Sequence, residues 1–333
     1  MQRPSLRLPQ PTPPPVPRST TTWRGYGQAL AFFALLFGVY AITAILEGAA
    51  QWGVARDWSA WADRWARLGL WATLAALTLW LAAAKTRHCQ LWALLFTSAI
   101  AGEALVTSGR MNAPAWLYDV LATIAAVILA TALARKHGLS ISSFGLGRPR
   151  GDHAMRRQAD MVFWWGFRAC FASNVAGFAV EWMGLPHGSS TVHGHASVAV
   201  SVADRLAAGV CEELLMAVVV VVLAAARRPV WEIYALSMMM RVSYHLYYQA
   251  VAPSVLIIGI VNIWLYRRTG RLTPLILAHI AWDLIGWART GGIAWGLAVA
   301  GAVLVIDQLV GTFWVGEPAP DAEQEPALTA ARP

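Results

Sequence analysis

Two adjacent carboxylates, Glu212 and Glu213, stand inside an otherwise apolar run from Leu206 to Ala226. If that run crosses a bilayer, each buried carboxylate costs roughly 2.5 kcal/mol or more. Helix formation asks for no such residue, so the pair reads first as a chemical site. Two later apolar segments supply partners: one carries Arg241 and His245, the other His279 and Asp283. Both pairs are spaced i, i+4, which predicts that each lies on one face of a helix. A carboxylate beside an imidazole can act as general base toward water. A second imidazole with a hydrogen-bonding side chain can hold the oxyanion that forms when water attacks an amide. That scheme needs no serine or cysteine nucleophile, and Cys211, which borders Glu212, reads as a packed thiol. Two histidines and a carboxylate would also suffice for zinc. No His-Glu-x-x-His motif is present, however, and the histidines come from different segments, so neither a metal nor another cofactor is expected. His187, His193 and His195 fall in a Gly/Ser loop with no preset geometry for a metal. A purely structural ion network and a proton-relay transporter are the other readings. The transporter would predict inverted repeats, and none stands out.

The elements that must carry these residues are membrane helices. Of the 333 residues 57% are hydrophobic and only 13% charged, with mean hydropathy +0.49. Soluble domains are about 25% charged, so this composition predicts an all-α, polytopic transmembrane bundle. Residues 1–24 hold seven prolines and four arginines and read as a disordered cytoplasmic tail. Residues 25–134 read as a four-span region: Gly25–Leu46, Leu68–Ala84, Leu91–Val106 and Ala115–Ala134, long enough or nearly so to cross. Trp58, Trp61, Trp65 and Leu68 recur at helical spacing among charges, which predicts a surface helix before the second span. Residues 135–159 form a polar, basic linker. Residues 160–290 carry the site on spans Asp160–Leu185, Ala203–Ala226, Trp231–Tyr248, Val255–Tyr266 and Leu272–Ala288. Residues 291–316 make a tenth, C-terminal span, and 317–333 an acidic disordered tail. The net charge of +8 is explained by topology rather than by nucleic-acid binding. With the amino terminus inside, 18 of 26 Lys and Arg fall in inner segments, as the positive-inside rule requires. The expectation is a multi-pass cell-membrane protein with both termini cytoplasmic, whose partners are the lipid bilayer and a peptide or protein substrate.

Three stretches, in order, resemble the CPBP family of CAAX prenyl proteases and bacteriocin-processing (Abi) proteins, which are intramembrane glutamic endopeptidases. They are Glu212-Glu213-Leu214-Leu215-Met216-Ala217, Arg241-Val242-Ser243-Tyr244-His245 and His279-Ile280-Ala281-Trp282-Asp283. Phe144-Gly145-Leu146-Gly147-Arg148-Pro149 is similar to the segment that often precedes the domain. The resemblance spans about residues 140–290. It implies Glu212 as general base, His245 orienting the water, His279 and Asp283 near the oxyanion, and Glu213 as a supporting acid. The chain departs from the pattern twice. Ala217 stands where the first motif usually ends in arginine, and Arg241 where the second often begins with phenylalanine. Without Arg241 the site would gather Glu212, Glu213 and Asp283 with no permanent cation, so Arg241 is expected to pair with Glu213. The implied activity is hydrolysis of membrane-associated, lipidated or small peptides. The missing motif arginine leaves a non-catalytic scaffold or bacteriocin-immunity protein as the alternative.

Overall fold

The computed structural model describes residues 22–51, 115–136, 144–146, 153–185 and 198–291, and every element among them is helical. Seven α-helices follow in order: α1 Thr22–Gln51, α2 Ala115–Lys136, α3 His153–Trp182, α4 Val198–Ala225, α5 Val230–Tyr244, α6 Val255–Thr269 and α7 Thr273–Gly291. Two short 3₁₀ turns, Leu246–Tyr248 and Ala252–Ser254, join α5 to α6. The expected second and third spans, the Trp58–Leu68 surface helix, the 186–197 loop and the C-terminal span lie outside the described residues.

The centre of the bundle is α4, which packs against α1, α2, α5, α6 and α7, while α3 lies outside against α6 and α7. The sequence explains this placement. From Leu214 to Ala226 there is no polar residue, so the helix has no face to offer water and must be covered all round. Leu214, Ala217, Val218, Val219 and Leu223 are fully enclosed. By contrast, α3 turns Trp164, Phe171, Val175, Phe178 and Trp182 outward, an apolar exterior that suits lipid. Among the described residues Val200–Ala225 is the one stretch long and apolar enough to cross a membrane, and Thr273–Gly286 is apolar but shorter.

Helix length sets the depth of the site. α4 has 28 residues and spans about 42 Å, whereas α5 and α6 have 15 each and span about 22 Å. The α5–α6 hairpin therefore ends part-way along α4, and its irregular tip lies at the level where Glu212 and Glu213 project. Irregular backbone at membrane depth is tolerated only where protein or a water-lined cavity covers it, and residues 246–252 are half-buried or buried. The expected helix to Tyr248 thus stops four residues early. His245 is the C-cap of α5, with its amide bonded to the Val242 carbonyl three residues back. The cause is local: the His245 ring takes the Arg241 carbonyl that the next helical amide would use.

The start of α3 also differs from expectation. α3 begins at His153, inside the segment read as linker, because Ala154–Ala159 contains only good helix formers once Gly151 is passed. Upstream, Phe144 is buried and the Gly145 carbonyl accepts from the Thr273 hydroxyl at 3.1 Å, tying this segment to the start of α7. Gly145 adopts φ +71°, which glycine tolerates without strain.

Close approach of α4 to α7 depends on Gly209. A Cβ there would fall 2.5 Å from Ile280 Cγ1 and 3.3 Å from the Ile280 amide nitrogen, one residue from His279. Gly209→Val is expected to wedge these helices apart and cost about 1–3 kcal/mol, read as a lowered unfolding midpoint in detergent; an unchanged midpoint would show that the approach is not tight.

Candidate active site

Successive helical residues point about 100° apart, so Glu212 and Glu213 cannot share one environment. Glu213 is fully buried and turned toward α6 and α7. Its Oε1 accepts from Arg241 Nη2 at 3.2 Å and from His279 Nδ1 at 2.9 Å, and its Oε2 accepts from Asn262 Nδ2 at 3.1 Å. Three donors from three different helices therefore close on one carboxylate, which is how a charge survives burial. Glu212 keeps an 11% exposed side chain. Among the described residues its polar contacts fall on Oε2: Arg241 Nη2 at 3.3 Å, the Tyr244 hydroxyl at 3.1 Å, His245 Nε2 at 3.9 Å and His279 Nε2 at 4.0 Å.

The two imidazoles are oriented from behind. His245 Nδ1 lies 2.8 Å from the Arg241 carbonyl, and a carbonyl only accepts, so Nδ1 carries hydrogen and Nε2 faces Glu212. Tyr244, Tyr247 and Tyr248 hold the ring, with centroids 4.5, 6.1 and 5.8 Å away. By the same logic His279 Nδ1 donates to Glu213, which leaves its Nε2 toward Glu212 and 3.6 Å from Asp283 Oδ2. Both Nε2 atoms thus approach one carboxylate oxygen at a separation too long for a direct hydrogen bond. A single water touching all three atoms suits that spacing.

All six residues singled out from sequence meet here. Arg241 is buried and bridges both glutamates, in agreement with the expected ion pair to Glu213. The i, i+4 reading holds for His279 and Asp283. For Arg241 and His245 it fails as helix geometry, since His245 sits past the last helical residue and returns to Arg241 through the backbone carbonyl. Sequence reasoning missed Tyr244 and Asn262. Asn262 carried a signal, being the lone amide in the apolar stretch Val255–Tyr266. Tyr244 carried none beyond its position next to His245.

Comparison with curated proteins and with solved structures found no match. Residues 194–285 match the model of the family described as type II CAAX prenyl endopeptidase Rce1-like. This is under a third of the chain, but it contains Glu212, Glu213, Arg241, His245, Asn262, His279 and Asp283. Enzymes of that family are membrane-embedded peptidases, and the motifs at Glu212-Glu213, His245 and His279 lie within the matched residues. Residues 194–285, which carry all three motifs, are thus similar to that family of CAAX prenyl endopeptidases.

Proposed function

We propose that this chain is an intramembrane glutamic endopeptidase that hydrolyses peptide bonds of membrane-associated, lipidated or small peptides. The observation that carries the reading is the approach of His245 Nε2 and His279 Nε2 to Glu212 Oε2 at 3.9 and 4.0 Å. A water in that gap gives one hydrogen to Glu212 and the other to His245 Nε2, so a lone pair is left for the peptide carbonyl. Glu212 takes the proton as the C–O bond forms. The developing oxyanion lies on the His279–Asp283 side, where a proton on His279 Nε2 supplies the donor. When the C–N bond breaks, Glu212 returns its proton to the leaving nitrogen. Glu213 touches no reacting atom in this scheme and positions His279, while Arg241 donates to Glu212 Oε2 and holds the base in place.

A non-catalytic relative that binds peptide without cutting it is the second reading, favoured by Ala217 at the motif position usually held by arginine. A proteolysis screen separates the two. Purified wild type in nanodiscs is expected to cleave at least one membrane-anchored or prenylated peptide, and Glu212→Gln is not. Chelators are expected to leave the rate unchanged, and inhibition reversed by added zinc would replace the glutamate mechanism with a metal one. Failure of wild type on every peptide, with binding retained, would establish the second reading.

The proposal includes a cell-membrane location, about ten spans and both termini in the cytoplasm. Basic segments alternate with neutral ones along the sequence, as the positive-inside rule demands. Reporter fusions at Gly151 and Gly188 are expected to lie on opposite sides; the same side for both would refute this topology.

A further inference from the structure

A second polar feature adjoins Glu212 on the side away from Glu213. A cavity between α4 and α5 is lined by Glu212, Ser237, Arg241 and Tyr244 together with Met216 and Met238. It has about 10 Å³ of room for the centre of a water, close to the minimum that holds one. Ser237 and Arg241 are 5% and 4% exposed, yet Ser237 Oγ and Arg241 Nε have no hydrogen-bond partner among the described residues. They lie four residues apart on one face of α5. Buried donors without partners are rare in proteins, and two on one small cavity point to an occupant.

We infer that this cavity is a binding site for one resident water, separate from the water placed between Glu212 and the histidines. The polar lining selects its chemistry. The occupant must accept from Arg241 Nε–H and donate toward Glu212, while the Ser237 hydroxyl can do either. A cation is repelled by the guanidinium and an anion by the Glu212 carboxylate, whereas water satisfies both. The bound water completes the edge of the guanidinium that Glu213 leaves open, and so ties α5 to α4 beside the base. The inference does not depend on peptidase activity.

Hydroxyl-radical footprinting in ¹⁸O-water tests it on the full chain in nanodiscs, because radicals formed from a bound water oxidise the nearest thioethers. Met240 is 1% exposed and off the cavity, and Met183 is 62% exposed. Met216 and Met238 are expected to take up label several-fold faster than Met240 and to approach Met183. Labelling of Met216 and Met238 no faster than Met240 would overturn the site. Ser237→Val fills the space with apolar carbon and is expected to bring both thioethers down to the Met240 rate, with Met183 unchanged. Persistent fast labelling in that variant, with Met240 still protected, would also overturn it. If the variant unfolds, Met240 loses protection and the wild-type comparison alone decides.

Discussion

Glu212→Gln is expected to lower peptide cleavage by about 10²–10⁴-fold while leaving the fold intact, and Glu213→Ala is expected to do the reverse first, by destabilising the protein. The two side chains are neighbours in sequence and differ in surroundings. At Glu212 the polar contacts among the described residues fall on Oε2, and a glutamine carbonyl oxygen can keep the bonds from Arg241 and Tyr244. What it loses is the ability to take a proton from water. At Glu213 the carboxylate is the common acceptor for Arg241, His279 and Asn262. Alanine would leave a buried guanidinium short of its counter-charge and two further donors unpaired, a loss of about 3–5 kcal/mol. Unfolding midpoints and initial cleavage rates, measured on the same preparations, separate the two effects. A Glu212→Gln protein that still cleaves at the wild-type rate would remove Glu212 from the role of base. A Glu213→Ala protein with an unchanged midpoint would show that the three-helix junction on Glu213 contributes little.

The identity of the site residues was legible because a bilayer makes charge expensive. Inside apolar helices Glu212, Glu213, Arg241, His279 and Asp283 have no solvent to fall back on, so they must find one another. The Arg241–Glu213 contact follows from the same reasoning, as a count of fixed charges with one cation to share. The assignment of faces was not legible. Adjacent glutamates must diverge, but which of them meets α6 and α7 is settled by packing, through Gly209 against Ile280 and Asn262 against Glu213. The end of α5 was not legible either. An apolar run through Tyr248 gives no reason to stop at Tyr244, and the stop depends on a side chain bonding to a carbonyl four residues back. Tyr244 escaped notice for a related reason. A tyrosine in an apolar span reads as packing, and only the tertiary fold aims its hydroxyl at Glu212.

Arg241→Phe is expected to cost about 3–5 kcal/mol of stability, and adding Ala217→Arg to that variant is expected to recover a large part of it. Arg241 Nη2 reaches Glu213 at 3.2 Å and Glu212 at 3.3 Å, so phenylalanine removes the one fixed cation between two carboxylates while keeping similar bulk. Crowded carboxylates of this kind cannot all remain ionised. Position 217 lies one turn beyond Glu213 on α4, on the same face, and is where the CPBP motif usually places its arginine. In the wild-type protein Ala217 is fully buried. Ala217→Arg alone therefore overpacks the core and brings a second cation to a site that already has one. It is expected to destabilise by at least about 1–3 kcal/mol. The same substitution thus changes sign with its background, harmful beside Arg241 and helpful beside phenylalanine. A double-mutant cycle on unfolding midpoints in detergent measures this directly, since contacting residues couple by about 0.5–3 kcal/mol and independent ones do not. If Ala217→Arg destabilises both backgrounds equally, Arg241 has not taken over the position of the motif arginine, and its contacts with the two glutamates need another explanation.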